Sequence, residues 1–480
     1  MYKWRNFRTI LKTVVVSGLL ICLMNTSSTA YADNAQTEAL RFQETLTLLS
    51  SYHVSGTSAT QLTDTAIKAM VESLKDPYTV YMSASEYKQF SNSLEQRYVG
   101  IGIRFEEMKD AIVVTKVFVG SPAESAGLQI GDRIVEVDGL RYMDTNAQDF
   151  VKRIRGEENT TVQLIYERSS ERRNVSMVRK TIVIPTVISS KLETSRIGYI
   201  QLTSFSADAD EQFAIQLKNL GNLNSLIIDL RDNPGGFLDT ASQIAKLFIK
   251  SGVLIHTSDR NGKDDPVLIQ NGSQVNYPVY ILVNENSASA SEVLAGALQD
   301  YKIATVVGNL TYGKGSVQQI FPLLDGGMLK VTIEKYFTPN KKQVDHVGIR
   351  PDVVSEGSAQ QLLTALRLAG MNKAKIQRTN DKLTIDGSTF SDSFPVVDRD
   401  GETFVPARIV GAVLGADVNW YAEGPTIELV RGSNSARFLL DGSSSLIKNQ
   451  TGFLNMAMVQ QAFPTLTWSI QGDILTIADQ

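Results

Sequence analysis

The spacing of apolar and polar residues divides the chain into stretches with different periodicities. Residues 33–97 carry apolar side chains at helical spacing, for example Leu46 and Leu49, which predicts a helical N-terminal region. From Tyr98 the chain changes to short β-rich runs with frequent glycines. Residues 98–181 are therefore predicted to form a β-rich domain.

Residues 182–372 alternate apolar strands with helical segments. The run "LNSLIIDL" precedes a Gly-Gly turn and a helical stretch, and "PVYILVN" precedes a second helical stretch. This alternation is typical of an α/β domain with a largely buried sheet. A polar connection near Gly370–Asp381 separates off a last domain, residues 382–480.

The last domain carries a weak internal repeat. Trp420 and Trp468 lie 48 residues apart in the sequence, as do Gly424 and Gly472. Two copies are too few for a solenoid, so the repeat predicts one small domain built from a duplicated unit.

Residues 1–32 have the layout of a secretory signal peptide. An apolar run, Val14–Met24, precedes a small-x-small site that ends at Ala32. The basic residues before the run are Lys3, Arg5, Arg8 and Lys12. The pattern predicts export with cleavage after Ala32. An uncleaved anchor is the alternative, although the run is shorter than the roughly 20 residues that a spanning helix needs.

Composition narrows the possible classes of function. The 480 residues are 42% hydrophobic and 20% charged, as in ordinary globular proteins. The only cysteine, Cys22, lies in the predicted signal peptide, so a mature chain would hold no disulfide, cysteine nucleophile or thiolate metal site. The formal net charge is −4, and the signal segment contributes four basic and no acidic residues. This acidic balance makes nucleic acid a poor candidate partner.

The segment "NSASASEVLAGALQD" places three serines between an apolar strand and a helix. The helix N-terminus can stabilise negative charge, including the oxyanion of an attacked amide. However, Ser289 and Glu292 also match a capping box, so the serines can serve as helix caps only. This stretch alone leaves both interpretations open.

A serine nucleophile needs a base, and the three histidines of the chain lie in no recognisable triad context. Lys314, between two glycines in "TYGKGSVQQ", can serve if its pKa falls from about 10.4 to about 7–8. A solvated turn lysine is the alternative. Gln318 and Gln319 follow, and a glutamine can orient an amine without adding charge.

The stretch "DLRDNPGGFLD" lies at the end of another buried strand. Its Pro-Gly-Gly turn at Gly235 and Gly236 can direct backbone amides at a ligand, as half of an oxyanion hole. An ordinary strand-to-helix turn is the alternative. The three segments occur together on strand ends of one α/β domain, and this co-occurrence favours a site.

As a set, these segments resemble the carboxy-terminal processing peptidases, serine proteases with a Ser-Lys pair. The motifs are Leu230–Gly236, Val283–Asp300 and Thr311–Gln319, with "DPYTVY" at Asp76–Tyr81 and "GIRPD" at Gly348–Asp352. The resemblance covers about residues 35–370 and implies a crotonase/ClpP-like α/β core.

This resemblance also implies roles for individual residues. Ser289 would be the nucleophile, Lys314 the general base, and Gln318 would position the amine of Lys314. The amide of Ala290 and one amide of Gly235 or Gly236 would form the oxyanion hole. Ser287 and Ser291 would then be structural.

One turn departs from the family pattern, which usually has glycine two places after the proline of its "TPxG" turn. Here Pro339 is followed by Asn340 and Lys341. Lysine adopts left-handed backbone geometry less readily than glycine, so we expect a differently built turn.

Two further resemblances concern the flanking domains. "YVGIGIRF" and "VGSPAESAGLQIGDRIVEVDG" resemble a PDZ domain, which implies that Val99, Gly100, Ile101 and Gly102 bind a terminal carboxylate. Residues 382–480 resemble the stalk-like domain named after copper amine oxidase N-termini. Because no histidine or cysteine follows His346, we expect no copper there and interpret it as an interaction or spacing module.

Together these observations predict an exported serine endopeptidase that acts on apolar protein C-termini without metal or cofactor. The alternatives are a catalytically silent adaptor in the cell envelope and an acyl hydrolase for non-peptide substrates. Envelope association is a further expectation, and the resemblance implies a homodimer.

Overall fold

The structure, a computed structural model, describes residues 29–372, 374–380 and 382–480. It divides into two units, one that ends at Tyr81 and one that begins at Met82. Residues 1–28 of the predicted signal peptide lie outside the described residues. Within the described ranges, no helix has the length and apolar character needed to cross a bilayer.

The first unit is helical, as the sequence predicts. It contains α1 (Thr29–Tyr52) and α2 (Ala59–Ser73). Helix α2 begins after Ser58, whose hydroxyl accepts a hydrogen bond from Gln61 N at 3.2 Å. No residue of α2 is buried within its unit. Strand β1 (Val80–Met82) follows, and α3 (Ala84–Leu94) belongs to the second unit.

The β-rich domain follows α3. Its strands are β2 (Arg97–Gly100), β3 (Ile103–Glu107), β4 (Ile112–Val117), β5 (Arg133–Val137), β6 (Leu140–Arg141), β7 (Thr161–Arg168), β8 (Glu171–Val178) and β9 (Lys180–Val183), and its helices are α4 (Pro122–Ser125) and α5 (Ala147–Ile154). Strands β3 to β8 form one sheet over a separate hydrophobic core. Strands β2 and β9 form a separate two-stranded antiparallel sheet.

The α/β domain is built on a six-stranded sheet. Its strands are β10 (Val187–Leu192), β11 (Ile197–Leu202), β12 (Ser225–Asp229), β15 (Val279–Val283), β16 (Ala304–Gly308) and β19 (Val353–Val354), in that spatial order. All neighbours are parallel except β10 and β11. A second sheet contains β13 (Gly252–Ser258), β14 (Val267–Ile269), β17 (Ser316–Pro322) and β18 (Met328–Phe337).

Both faces of the six-stranded sheet are buried, because successive side chains of a strand point to opposite faces. Ile228 and Ile281 belong to the core that contains α6 (Ala209–Asn219), α7 (Leu238–Ala245) and α8 (Ala290–Asp300). Their neighbours Ile227 and Leu282 belong to the core that contains α9 (Ser358–Leu368). Strands buried on both faces explain the near-continuous apolar runs in the sequence.

The C-terminal domain contains the duplicated unit that the sequence predicts. Its elements are β20 (Lys375–Arg378), β21 (Leu383–Ile385), β22 (Ser388–Phe390), β23 (Val397–Arg399), β24 (Glu402–Pro406), α10 (Ala407–Leu414), β25 (Asp417–Tyr421), β26 (Thr426–Arg431), β27 (Asn434–Leu439), β28 (Ser445–Lys448), β29 (Thr451–Asn455), α11 (Met456–Ala462), β30 (Leu466–Gln471) and β31 (Ile474–Asp479). The order strand, helix, hairpin occurs twice, as β24–α10–β25–β26 and β29–α11–β30–β31.

Two features of this domain differ from the sequence-based expectation. The expected polar connection, Gly370–Asp381, contains β20, which pairs with β21 and β31. The strand is inconspicuous because Ile376 is buried between the exposed Lys375 and Gln377. The domain is also not a detached spacer, since its apolar side chains share one core with α9 and the central sheet.

The turn after Pro339 is also not as expected. Lys341 adopts φ 58°, the left-handed region that glycine favours. Lys341 N donates to Thr338 O at 2.8 Å, and the Lys341 ammonium contacts Asp264 at 2.8 Å. The expectation that lysine would avoid this geometry was therefore wrong. The turn hydrogen bond and the ion pair with Asp264 both favour this geometry against its local backbone cost.

Candidate active site

A cavity of about 380 Å³ lies at the carboxyl ends of three adjacent parallel strands, β12, β15 and β16. Ligand sites of open α/β sheets are generally found outside this edge. The structure places all the catalytic and oxyanion residues suggested by the sequence in the wall of this cavity. They are Gly235, Gly236, Ser289, Ala290, Lys314 and Gln318.

Ser289 lies on the turn that joins β15 to α8. Its backbone has φ 56° and ψ −114°, a combination that costs free energy for a residue with a side chain and is common at functional turns. The neighbouring serines anchor this turn. The Ser287 hydroxyl donates to Leu230 O at 2.8 Å, and the Ser291 hydroxyl donates to Asn233 O at 2.9 Å. Both anchors are buried, in agreement with a structural role.

Three backbone amides in the wall of the cavity are candidate oxyanion donors, those of Gly235, Gly236 and Ala290. Gly235 N already donates to the side chain of Asn233 at 2.9 Å. Among the described hydrogen bonds, none uses the N–H of Gly236 or of Ala290, which is the first residue of α8. The geometry therefore favours Gly236 over Gly235 as the partner of Ala290.

Gly235 is required by close packing against the nucleophile turn. A Cβ atom there would lie 2.8 Å from Ala288 O, 2.9 Å from Ser289 Cβ and 3.0 Å from Ala290 N. Its φ of 104° is also unfavourable for any residue with a side chain. The glycine thus lets two loops from different strands meet at van der Waals distance.

The carboxylate of Glu292 joins the serine turn to the lysine loop. Its Oε2 accepts from Ser289 N at 2.9 Å and from Lys314 N at 2.8 Å. Its Oε1 accepts from the Thr311 hydroxyl and from Gly313 N, both at 2.6 Å. One buried side chain thereby fixes the backbones of the candidate nucleophile and the candidate base relative to each other.

Sequence reasoning assigned Glu292 only to a capping box. The hydrogen bond from Ser289 N is the reciprocal half of such a box, but the other three donors come from a distant segment. Burial raises the pKa of Glu292 above its usual value, and its four hydrogen bonds oppose that rise. The available signal was a lone charged residue in the apolar helix "ASEVLAGAL".

Glycines on both sides of Lys314 allow its loop to pack closely, as proposed from the sequence. A Cβ atom at Gly315 would lie 2.1 Å from Asp345 N, and Gly313 has φ 88°. His346 N donates to Gly313 O at 2.8 Å. Lys314 itself is half-buried at the cavity.

Gln318 lies in β17, and its amide is oriented by two hydroxyl groups. Nε2 donates to Ser316 Oγ at 2.8 Å and to Thr332 Oγ1 at 3.3 Å. Since both bonds engage the amide nitrogen, an interaction with a lysine amine would use the carbonyl oxygen.

The rest of the cavity wall is largely apolar and comes from elements that the sequence did not connect with the site. Its apolar members are Phe90, Leu94, Phe237, Leu238, Ile255, Val293, Val317, Ile320 and Tyr336. The Lys330 ammonium lies 5.0 Å from the centre of the Phe90 ring. An apolar substrate side chain would fit this surface, because its burial is favourable there.

A second cavity, of about 220 Å³, lies in the β-rich domain. Gly100, Ile101 and Gly102 of the predicted carboxylate loop line it, whereas Val99 does not and is paired with Thr181 of β9. The cavity is lined further by Tyr98, Ile103, Arg104, Phe105, Phe118, Val151, Ile154, Arg155 and Ile184. It is an apolar pocket with two arginines, which is compatible with an apolar tail that ends in a carboxylate.

No group of three or more His, Cys, Asp or Glu side chains suited to a metal ion occurs among the described residues.

Four segments match known families. Residues 196–355 match peptidase family S41, and residues 99–178 match the PDZ domain. Residues 23–86 match the N-terminal domain of the activating protease CtpB, and residues 373–463 match the copper amine oxidase N-terminal domain. These matches confirm the resemblances found in the sequence and the predicted combination of folds.

Curated relatives match over most of the chain. A probable CtpA-like serine protease of Staphylococcus aureus (strain bovine RF122 / ET3-1) is 34% identical over 364 residues, 75% of this chain and 73% of its own. The carboxy-terminal processing protease CtpB of Bacillus subtilis (strain 168) is 35% identical over 334 residues, 68% of this chain and 70% of its own. Among solved structures, the photosystem II D1 C-terminal processing protease is 26% identical, with a TM-score of 0.42 over 67% of this chain and 93% of its own.

Proposed function

The chain belongs to the carboxy-terminal processing serine proteases of peptidase family S41 and carries a PDZ domain, and from this premise we propose that Ser289 and Lys314 form its catalytic pair. The observation that carries the proposal is the bridge made by Glu292, which accepts hydrogen bonds from the backbone N–H of both residues at the edge of one cavity. A buried carboxylate held by four donors keeps the two loops in a fixed geometry, as catalysis by a preorganised pair requires.

In the proposed reaction, Ser289 Oγ attacks the carbonyl carbon of the scissile peptide bond while the neutral amine of Lys314 accepts the hydroxyl proton. The N–H groups of Ala290 and Gly236 stabilise the oxyanion that forms. Lys314 then donates the proton to the leaving amine, and an acyl-enzyme remains. Water attacks the ester with proton transfer to and from Lys314, which releases the new C-terminus and restores Ser289.

Gln318 is proposed to orient the Lys314 amine. Its amide nitrogen is engaged by Ser316 and Thr332, so its carbonyl oxygen is available as an acceptor for the lysine. A neutral amide suits this role because a carboxylate at the same place would stabilise the charged form of the lysine and keep it protonated, so that it could not accept the serine proton.

The substrates are proposed to be proteins with apolar C-terminal tails. The PDZ pocket would take the tail beside the loop Gly100–Gly102, with the terminal carboxylate near Arg104 and Arg155. Binding of the tail in the PDZ pocket would control access of substrate to the active site. The apolar wall of the active-site cavity favours apolar side chains next to the scissile bond.

Export and dimerisation are further parts of the proposal. Export rests on the basic and apolar pattern of residues 1–32, and association with the cell envelope would follow export. A homodimer is supported by the apolar side chains that α1 and α2 expose within their own unit, including Leu40, Phe42, Leu48 and Met70.

The proposed domain organisation follows the predicted limits in most of the chain. A helical region would occupy residues 33–97, the PDZ domain residues 98–181 and the protease core residues 182–372. The start of the C-terminal domain is moved from residue 382 to Lys375, because β20 pairs within that domain.

The test compares cleavage by the parent protein with cleavage by Ser289→Ala and by Lys314→Ala. The substrate is an unfolded protein with an apolar C-terminal tail, and the same protein with a tail ending in aspartates is the control substrate. The control variants are Ser251→Ala and Lys250→Ala, which change two exposed residues on the surface of the protease domain. We expect the parent and both control variants to cleave the apolar-tailed protein. We expect Ser289→Ala and Lys314→Ala to cleave neither protein.

Other outcomes would separate the alternatives. Equal cleavage by all variants would exclude Ser289 and Lys314 as the catalytic pair. Hydrolysis of simple esters without cleavage of either protein would favour an acyl hydrolase. Peptide binding at the PDZ domain without hydrolysis of any substrate would favour the silent adaptor.

A further inference from the structure

A buried arginine, Arg231, lies in the loop that connects the central sheet to the candidate oxyanion glycines. Arg231 lies two residues after the end of β12, and its side chain is 6% exposed. Its Nε donates to both carboxylate oxygens of Asp229, at 2.9 and 3.0 Å, and Nη2 donates to Asp229 Oδ2 at 2.5 Å. Tyr199 Oη donates to the same carboxylate at 2.6 Å. Burial raises the pKa of Tyr199 well above its usual value, so the phenol remains a donor at neutral pH.

The C-terminal domain provides the second carboxylate of this cluster. Asp392, which follows β22, has a side chain only 8% exposed. Its Oδ1 accepts from Arg231 Nη1 at 3.0 Å and its Oδ2 accepts from Arg231 Nη2 at 3.3 Å. Nη1 also donates to Ser358 O at the start of α9, at 2.7 Å. The guanidinium is thus held on one side by the sheet and on the other by α9 and the C-terminal domain.

Such a cluster fixes the position of its central group. A planar guanidinium that binds a carboxylate through two N–H groups has a defined orientation as well as a favourable charge interaction. Because the groups are removed from water, loss of one partner leaves the others without compensation. Removal of Asp392 should therefore shift the Arg231 side chain and the backbone that carries it.

That backbone is the one that packs under the Ser289 turn. Leu230 O, one residue before Arg231, accepts from the Ser287 hydroxyl at 2.8 Å. Asn233 O, two residues after it, accepts from Ala288 N at 3.0 Å and from the Ser291 hydroxyl at 2.9 Å. Gly235 and Gly236 follow after Pro234. A displacement of Arg231 would therefore be transmitted to the proposed oxyanion donors.

We propose that Asp392 is a positioning residue for catalysis and that the C-terminal domain, through Asp392 and Arg231, forms a fixed part of the catalytic unit. This role differs from that of a spacer, which could be changed without effect on the chemical step. The inference rests on the proposed function, because it assumes that the loop Leu230–Gly236 stabilises the oxyanion.

The test uses the full chain with Asp392→Asn, which keeps the size of the side chain and removes its charge. Asp398→Asn, an exposed aspartate of the same domain, is the matched control. Cleavage of a short apolar peptide gives kcat and KM at a temperature well below unfolding, and circular dichroism at the same temperature, with the parent as reference, measures the folded fraction independently. Asp392→Glu, which keeps the charge, tests for rescue.

We expect kcat per folded molecule to fall about 10- to 100-fold in Asp392→Asn, less than the loss typical of a deleted oxyanion donor. KM should stay within about twofold, since the proposed change affects the transition state rather than ground-state binding. Asp392→Glu should recover part of kcat, and Asp398→Asn should match the parent.

An unchanged kcat per folded molecule in Asp392→Asn would overturn the inference, as would a loss of activity that is fully accounted for by a lower folded fraction. A rise in KM alone would also overturn it, because substrate binding would then be the affected step. An inactive parent would count against the proposed function, whereas an active parent with an equally active Asp392→Asn would count only against this inference.

Discussion

The PDZ domain and the C-terminal domain are both additions to the protease core, but they are attached in different ways. The buried cluster of the PDZ domain contains only residues between Ile101 and Met177. The buried side chains of the C-terminal domain instead form one cluster with Ile227, Leu282 and the buried face of α9. One domain has its own core, and the other completes the core of its neighbour.

This difference in packing has consequences for function. A domain with its own core, joined through the ribbon of β2 and β9, can change orientation while that core stays intact. That suits a module proposed to bind tails and gate the site. A domain that covers one face of the central sheet cannot move in this way, because separation would expose that face to water. It suits a fixed support.

Deletion of each domain provides the strongest test of the comparison. A chain ending at residue 372 should fail to fold, because each large apolar side chain left exposed forfeits about 1.5–3 kcal/mol against a typical total stability of about 5–15 kcal/mol. A chain with residues 101–178 replaced by a short Gly-Ser linker should retain a cooperative thermal transition. Circular dichroism and solubility distinguish the two. A folded, soluble chain ending at residue 372 would contradict the shared core.

Substitutions that leave a cavity in each core should lower stability less than deletion of a domain. They should again separate a shared core from an independent one. Leu414→Ala in α10 should destabilise the protease core together with the C-terminal domain by about 2–5 kcal/mol, and Phe150→Ala in α5 should destabilise the PDZ domain alone by about 3–5 kcal/mol. Both side chains are buried. Scanning calorimetry should show one shifted transition for each variant. If Leu414→Ala left the transition of the protease core unchanged, the two cores would be independent.

The smallest expected effect concerns the PDZ loop. Gly102 has φ 83°, and a Cβ there would lie 2.3 Å from Ser121 Cβ. Gly102→Ala should weaken binding of an apolar tail peptide about tenfold, from backbone strain of about 1–2 kcal/mol plus the clash. Gly120→Ala is the control, since Gly120 has φ 75° but no atom within 4 Å of the new Cβ.

Fluorescence titration with a labelled tail peptide would measure both affinities. Gly120→Ala should change the Kd by less than about threefold, because its strain is not transmitted to the pocket. Cleavage of a short peptide without a tail should be unaffected by either change. Equal weakening by both substitutions would show that the Gly102–Ser121 contact has no special importance for the pocket.

Much of the candidate site could be predicted from sequence because its residues lie in short motifs at strand ends. Ser289, Lys314 and the Gly-Gly turn each have a local signal, and parallel strands bring such ends to one edge. The bridging role of Glu292 had no such signal. Its partners Thr311, Gly313 and Lys314 are about 20 residues away in sequence. A capping box also accounts for a glutamate three residues after a serine at the start of a helix.

The sequence by itself determined the family, the order of the domains and the duplicated unit at the C-terminus, because each depends on local motifs or on periodicity. Only the tertiary structure decided that the C-terminal domain shares a core with the protease, that Lys341 adopts left-handed geometry and that Asp392 reaches Arg231. These features arise from contacts between residues far apart in the chain. Local patterns report which side chains are apolar or charged, whereas packing decides which of them meet.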